Sequence, residues 1–189
     1  MLYPFSALLA RMKYITRWSL MHSTRAESLS EHTCDTALLA HMLCLIARRY
    51  TGTPCRPKTV AVAALYHDAP EIITGDMPTP VKYSSPTLRD AYKALETESV
   101  RCMTGLLPDE LSEELSPFIS GELLTAEEKR LLKAADRLSA SSNARRSSAA
   151  ATTSLTRRWP SRSGPAGHAL PGSRLVHRAL SALLHPESG

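Results

Sequence analysis

The sequence predicts an all-α fold: a bundle of helices followed by an irregular or disordered C-terminal tail. From Phe5 to Leu138 the chain breaks into segments whose apolar residues recur at helical spacing or fill a helix throughout. Capping residues and prolines stand where such segments would begin. No stretch alternates apolar and polar residues as a half-buried strand does, and no internal repeat is evident.

The segment Phe5 to Tyr14 is short and amphipathic. Ser30 is the expected N-cap of a long helix running to about Tyr50, with Leu38, Leu39, Met42, Leu45 and Ile46 as its apolar stripe. His41 falls on that stripe and is expected to pack in the core. Pro57 suits the first position of the next helix, and Thr59 to Asp68 is nearly all apolar, as in a helix buried on most sides. Pro70 ends it. Gly75-Asp76-Met77-Pro78-Thr79-Pro80 is expected to be a loop. Helices are expected from Pro86 to about Met103 and from Pro108 to Leu115. Thr125-Ala126-Glu127-Glu128 is a capping box opening a last helix through Leu138.

The chain then changes character. Residues 139–189 hold 11 Ser, 9 Ala, 7 Arg, 4 Pro and 4 Gly, and no Ile, Phe, Tyr or Met. Little apolar surface is left to offset the entropy of ordering such a segment. Two domains are therefore drawn, 1–140 and a low-complexity basic tail at 141–189. The tail reads either as a disordered extension or as the product of a shifted reading frame in a GC-rich gene. Codons exist for Arg146 to Leu155 whose frame two bases later reads Glu-Leu-Arg-Ser-Gly-Asn-Asp-Glu-Phe, the end of one helix and the start of another.

The charge distribution removes a nucleic-acid reading. The whole chain is +5, yet residues 1–138 hold 16 Lys+Arg against 17 Asp+Glu, and the excess lies in the tail. Beyond Trp159 the tail has no aromatic residue for base stacking. No apolar run approaches the ~20 residues of a membrane helix, and no signal peptide is evident at Met1. Cys34, Cys44, Cys55 and Cys102 show no Cys-x-x-Cys spacing, as expected of reduced thiols in a cytoplasmic protein.

Four residues carry the candidate chemistry: His32, His67, Asp68 and Asp136. Imidazole nitrogen and carboxylate oxygen suit a borderline or hard divalent cation. The lack of cysteine among them argues against a structural zinc site. His67 and Asp68 are helix neighbours about 100° apart, so one ion can meet both only off the C-terminal end of their helix. His32 and Asp136 must then arrive from two other helices.

These residues stand within longer blocks: Arg17-Trp18-Ser19-Leu20-Met21, Glu27-Ser28-Leu29-Ser30-Glu31-His32, Tyr66-His67-Asp68-Ala69-Pro70-Glu71, Thr74-Gly75-Asp76-Met77-Pro78-Thr79-Pro80-Val81-Lys82-Tyr83 and Lys133-Ala134-Ala135-Asp136. In that order they resemble the HD-domain phosphohydrolases, and within them the YfbR-like bacterial 5′-deoxynucleotidases. The resemblance spans about residues 4–140.

It implies an HD-domain helical bundle that hydrolyses deoxyribonucleoside 5′-monophosphates with a divalent cation, cobalt or manganese. His32, His67, Asp68 and Asp136 would hold the metal, which would polarise a phosphoryl oxygen and acidify water. Glu71 would orient or deprotonate the attacking water, and Asp76 would serve the leaving 5′-oxygen. Arg17 would clamp the phosphate, Trp18 would pack on the sugar against a 2′-hydroxyl, and Asp76, Met77, Pro78 and Thr79 would line the substrate pocket. A homodimer is implied as well.

Each supporting residue also has a plainer reading. Arg17 and Trp18 could be a surface cation–π pair, Glu71 a first-turn helix acid, Asp76 a turn residue and Lys82 a solvated lysine. The competing functions are another HD-domain nucleotide phosphohydrolase and a C-terminally damaged, inactive metal-binding chain.

Overall fold

The computed structural model describes residues 4–17 and 26–150, with the backbone alone for Thr79 and for 142–150. Trp18 and His22, and His168, His177 and His185 of the tail, lie outside the described residues.

The described chain is helical. Helix α1 (Pro4–Leu9) tightens into a 3-10 turn at Ala10–Tyr14. Then follow α2 (Leu29–Ile46), which widens into a π turn at Ala47–Thr51, and α3 (Pro57–Tyr66). Two short helices, α4 (Glu71–Thr74) and α5 (Thr79–Lys82), lead into α6 (Pro86–Thr104), α7 (Asp109–Ser120) and α8 (Ala126–Ala150). Extended pairing among the described residues is limited to one antiparallel bridge, Thr16 to Ser28.

Several boundaries differ from those the sequence suggests. The N-cap of α2 is Ser28, not Ser30: Ser28 Oγ accepts from Glu31 N–H and Glu31 Oε2 accepts from Ser28 N–H. Only Ser28 has an acid at the third position after it, so only Ser28 can close a capping box. Helix α3 ends at Tyr66, which leaves His67 and Asp68 on the following turn. The loop expected at 75–80 closes early, because Thr79 and Pro80 already belong to α5. Helix α7 continues past Leu115 and through Pro117, and α8 continues past Leu138 to Ala150.

Two clusters form the core. The first joins α2, α3 and α8 through Ala37, Ala40, Leu43, Cys44, Val60, Ala63, Ala64, Leu131 and Ala135. Small side chains at these seams let the helices approach closely, so α2 touches both α3 and α8 along much of its length. The second gathers Phe5, Met12, Leu29, Ala69, Ile72, Met103 and Ile119 on the other side.

The buried face of α2 is not the expected stripe. Leu38 is 67% exposed, and Met42, Leu45 and His41 are also exposed. The face turned inward carries His32, Thr33, Thr36, Ala37, Ala40, Leu43 and Cys44. The C-terminal half of α2 is apolar on nearly every side, so periodicity alone does not choose its inner side, and the small residues that permit close packing do.

The entry to α8 is fixed by Glu128. Its Oε2 accepts from Thr125 N–H while Thr125 Oγ1 accepts from Glu128 N–H, which is the expected capping box. The same carboxylate accepts from Arg56 backbone N–H, Nε and Nη2 at 2.6–2.9 Å. Arg56 immediately precedes α3, so the pair ties the starts of α3 and α8 together and sets the height at which Asp136 arrives.

Candidate metal centre

The centre lies where the N-terminal part of α2, the turn after α3 and the middle of α8 converge. His32 is fully buried on the second turn of α2. One ligand atom each from His32, His67 and Asp68 all lie within 4.8 Å of one another. Asp136 joins from α8, with its Oδ1 3.3 Å from His32 Nε2. Three of the four expected residues thus converge, Asp136 lies beside them through His32, and the His67-Asp68 pair sits off the end of α3.

Donor chemistry fits a cation. His67 Nδ1 is 2.7 Å from the Ala64 carbonyl oxygen. A carbonyl can only accept, so Nδ1 carries the proton and Nε2 keeps a lone pair. That Nε2 is buried, lies 3.2 Å from Asp68 Oδ1 and has no hydrogen-bond partner among the described residues. His32 Nε2 likewise faces acceptors, with Asp68 Oδ2 at 3.5 Å and Asp136 Oδ1 at 3.3 Å. Crowded acceptors in a buried site favour positive charge among them; Arg17 supplies some at Asp68 and Lys133 some at Asp136, and a cation would supply more. The electrostatics agree: the His32 pKa is displaced upward; burial opposes this, while the Asp136 and Glu27 side chains favour its charged form. Asp136 is held well below the usual carboxylate range by His32 and Lys133, against the opposing effect of its own burial.

Glu71 stands apart from this donor set. It opens α4, and its Oε2 is buried with no hydrogen-bond partner among the described residues. Burial first, then the negative charges of Asp68 and Asp76, push its pKa up to about 9, while Arg17 and Lys82 partly offset them. A plain first-turn acid would sit in solvent with an ordinary pKa, so burial speaks against that reading.

Arg17 is not on the surface either. Its side chain is 10% exposed and Nη1 donates to Asp68 Oδ2 at 2.7 Å. Its position comes from the bridge: Arg17 N–H donates to Glu27 O and Leu29 N–H to Ile15 O. Asp76 follows Gly75, whose φ of +74° is a conformation L residues rarely adopt. Tyr92 of α6 steadies this bend, its hydroxyl donating to Gly75 O at 3.2 Å and pairing with Thr74 Oγ1 at 3.1 Å. Lys82 is not a free solvated lysine: Nζ donates to Glu96 at 2.6 Å and lies 4.3 Å over the Tyr92 ring. Met77 and Pro78 are half-buried beside Asp76, and no side-chain position is described for Thr79.

Sequence reasoning assigned no role to Glu27 or Ser139, both buried here and both beside His32. The available signal was weak: an acid shortly before His32 and a serine one helical turn after Asp136.

Comparison with known proteins places the chain among relatives of known class. The family described as 5′-deoxynucleotidase YfbR-like matches residues 4–153. A 5′-deoxynucleotidase of Vibrio vulnificus is 42% identical over 136 residues, which is 72% of this chain and 70% of the relative. One from Photorhabdus laumondii is also 42% identical, over 72% of this chain and 69% of its own length. Among solved structures, an HD-domain phosphohydrolase from Listeria innocua superposes with a TM-score of 0.69 at 19% identity, covering 78% of this chain and 70% of its own. A cyanophage S-2L HD phosphohydrolase, solved with dA and one catalytic zinc ion, superposes with a TM-score of 0.57 at 21% identity, covering 94% and 81%. At such identities these two structures share the fold.

Proposed function

The chain belongs to the YfbR-like 5′-deoxynucleotidase family, and we propose that it hydrolyses deoxyribonucleoside 5′-monophosphates to deoxynucleoside and phosphate at the His32/His67/Asp68/Asp136 centre. The observation that carries the reading is the convergence of His32, His67 and Asp68 donor atoms, with Asp136 beside His32, next to an arginine and a buried glutamate.

His32, His67, Asp68 and Asp136 would hold a divalent cation, with cobalt or manganese proposed. Bound there, it supplies Lewis acidity that polarises a phosphoryl oxygen and acidifies water. Arg17 offers the phosphate a planar fork of donors; its present bond to Asp68 keeps that fork beside the donor set. Glu71 orients or deprotonates the attacking water; a cation beside Asp68 would offset the negative charge that now holds the proton on Glu71 and so favour the ionised carboxylate that proton transfer needs. Asp76 serves the leaving 5′-oxygen. Trp18 packs on the sugar and disfavours a 2′-hydroxyl, and Met77, Pro78 and Thr79 line the pocket.

The catalytic unit is residues 1–140 with the basic tail of 141–189 attached. The proposal extends to a cytoplasmic homodimer that acts on a small nucleotide and binds neither membrane nor nucleic acid. No helix among the described residues is long and apolar enough to cross a membrane.

The test is phosphate release from the deoxy and ribo 5′-monophosphates of all common bases with added cobalt or manganese. Deoxy substrates are expected to be favoured, and Trp18→Ala to narrow the gap. Equal deoxy and ribo rates in the parent would overturn the Trp18 role. Diphosphate or cyclic-nucleotide turnover instead would reassign the chain to another branch of the HD phosphohydrolases.

A further inference from the structure

His32 is the buried hub of the centre, and its two ring nitrogens face different company. Nε2 points to the donor set, with Asp136 Oδ1 at 3.3 Å, Asp68 Oδ2 at 3.5 Å and Thr36 Oγ1 at 3.4 Å. Nδ1 points away from it, to Ser139 Oγ at 3.3 Å and Glu27 Oε1 at 3.6 Å. Ser139 is fully buried and Glu27 nearly so.

An imidazole bonds a cation through one nitrogen only when the proton resides on the other. A carboxylate or hydroxyl at the far nitrogen holds it there and fixes the ring plane. Neither Glu27 nor Ser139 belongs to the group whose donor atoms converge. The division of labour follows from distance. Ser139 is within hydrogen-bond reach of Nδ1, so it holds the ring. Glu27 is slightly farther, so it supplies negative charge.

We propose that Glu27 and Ser139 are positioning residues that clamp His32 Nδ1 from opposite ends of the chain and so aim Nε2 at the metal. The backbone at Glu27 is tied to that of Arg17, because Glu27 O accepts from Arg17 N–H beside the Thr16–Ser28 bridge. Glu27 Oε2 also lies 3.9 Å from Arg17 Nε, so one carboxylate orders both the metal-ligand candidate and the phosphate clamp. Ser139 lies one helical turn beyond Asp136 on α8, so the helix that delivers an acid to Nε2 also delivers a hydroxyl to Nδ1.

The inference rests on the metal reading of the same centre. It is tested by calorimetric titration of manganese or cobalt alone into the chelator-stripped full chain, with Ser139→Ala, Glu27→Gln and Glu27→Ala. Loss of an outer partner of a ligating histidine typically costs about 10–100-fold in affinity. Ser139→Ala and Glu27→Ala are expected to weaken metal binding by that amount. Glu27→Gln, which keeps the shape but removes the charge, is expected to lose about as much as Glu27→Ala. At saturating metal the KM of Ser139→Ala is expected within about twofold of the parent, since metal affinity is where an outer partner acts. Metal affinities within twofold of the parent in a cooperatively melting Ser139→Ala and either Glu27 variant would overturn the proposal. If Glu27→Ala does not fold, Ser139→Ala and Glu27→Gln decide. A parent chain that binds no metal would instead overturn the proposed function itself.

Discussion

His67 turns Nε2 onto Asp68 Oδ1 at 3.2 Å while its Nδ1 is committed to the Ala64 carbonyl at 2.7 Å. Two acceptors, contributed by neighbouring residues on one turn, are thus held face to face in a partly buried pocket. That arrangement has a cost in the metal-free chain and a use in the loaded one.

The cost and the use are measurable together as a thermal shift. A cation that binds only the folded state at about 100 times its Kd stabilises by about 2.7 kcal/mol. For a chain of this size that is roughly 5–10 °C in Tm. Stripping the protein with a chelator and adding back manganese or cobalt is expected to restore such a shift, and His67→Ala to remove most of it. A full shift in His67→Ala would take His67 out of the ligand set.

Glu71 links activity to stability with opposite signs. In the folded chain its pKa is pushed up to about 9, while the ordinary value is 4.5. Above pH 4.5 the unfolded chain releases a proton that the folded chain retains. Stability therefore falls as pH rises through that window, the full loss being reached near pH 9. Glu71→Gln cannot ionise and escapes the loss. The metal-free variant is expected to melt higher than the parent at pH 8 and close to it at pH 5. Its kcat is expected to fall about 10²–10⁴-fold if Glu71 is the general base. A variant that keeps full activity would leave Glu71 without a proton-transfer role.

How much was legible in the sequence depended on what kind of signal each residue gives. That His32, His67 and Asp68 meet, with Asp136 beside His32, was legible because donor chemistry is written in residue type and order along the chain. The Thr125–Glu128 capping box was readable for the same reason, whereas Ser28 lost to Ser30 although the acid three positions on marked it. Ser139 meets His32 across 107 residues of sequence, and no local pattern announces that contact, whereas Glu27 reaches it from five residues away. The inner face of α2 was misread because leucines stand on both sides of it, and the small residues that decide close packing carry little hydropathy.

The same misreading yields a contrast in stability. Leu43 is buried in the seam between α2, α3 and α8, whereas Leu38 is 67% exposed. Leu43→Ala is expected to cost about 2–5 kcal/mol. Leu38→Ser is expected to stay within about 0.5 kcal/mol. Chemical denaturation of the two variants separates them, and equal losses would restore the stripe that periodicity suggested.

Glu128 offers the second pH-dependent contrast, with the sign reversed from Glu71. Its side chain is 1% exposed, and Arg56 together with backbone N–H donors holds its pKa down at about 2, below the ordinary 4.5. The folded state therefore prefers the ionised carboxylate. The resulting stability is fully present above pH 4.5 and is lost as pH falls toward 2. Arg56 is half exposed, so water screens the pair, and Glu128→Gln is expected to lose about 1 kcal/mol at pH 7. The gap to the parent should close as both are acidified, because the parent then protonates the same group. Denaturant titrations between pH 7 and pH 3 follow this directly, and a gap that does not change with pH would show that the loss does not come from the carboxylate's charge. The pair also ties α8 to the start of α3. Glu128→Gln is therefore expected to weaken metal affinity although Glu128 lies outside the converging donor set, because Asp136 reaches the centre on the helix that Glu128 anchors.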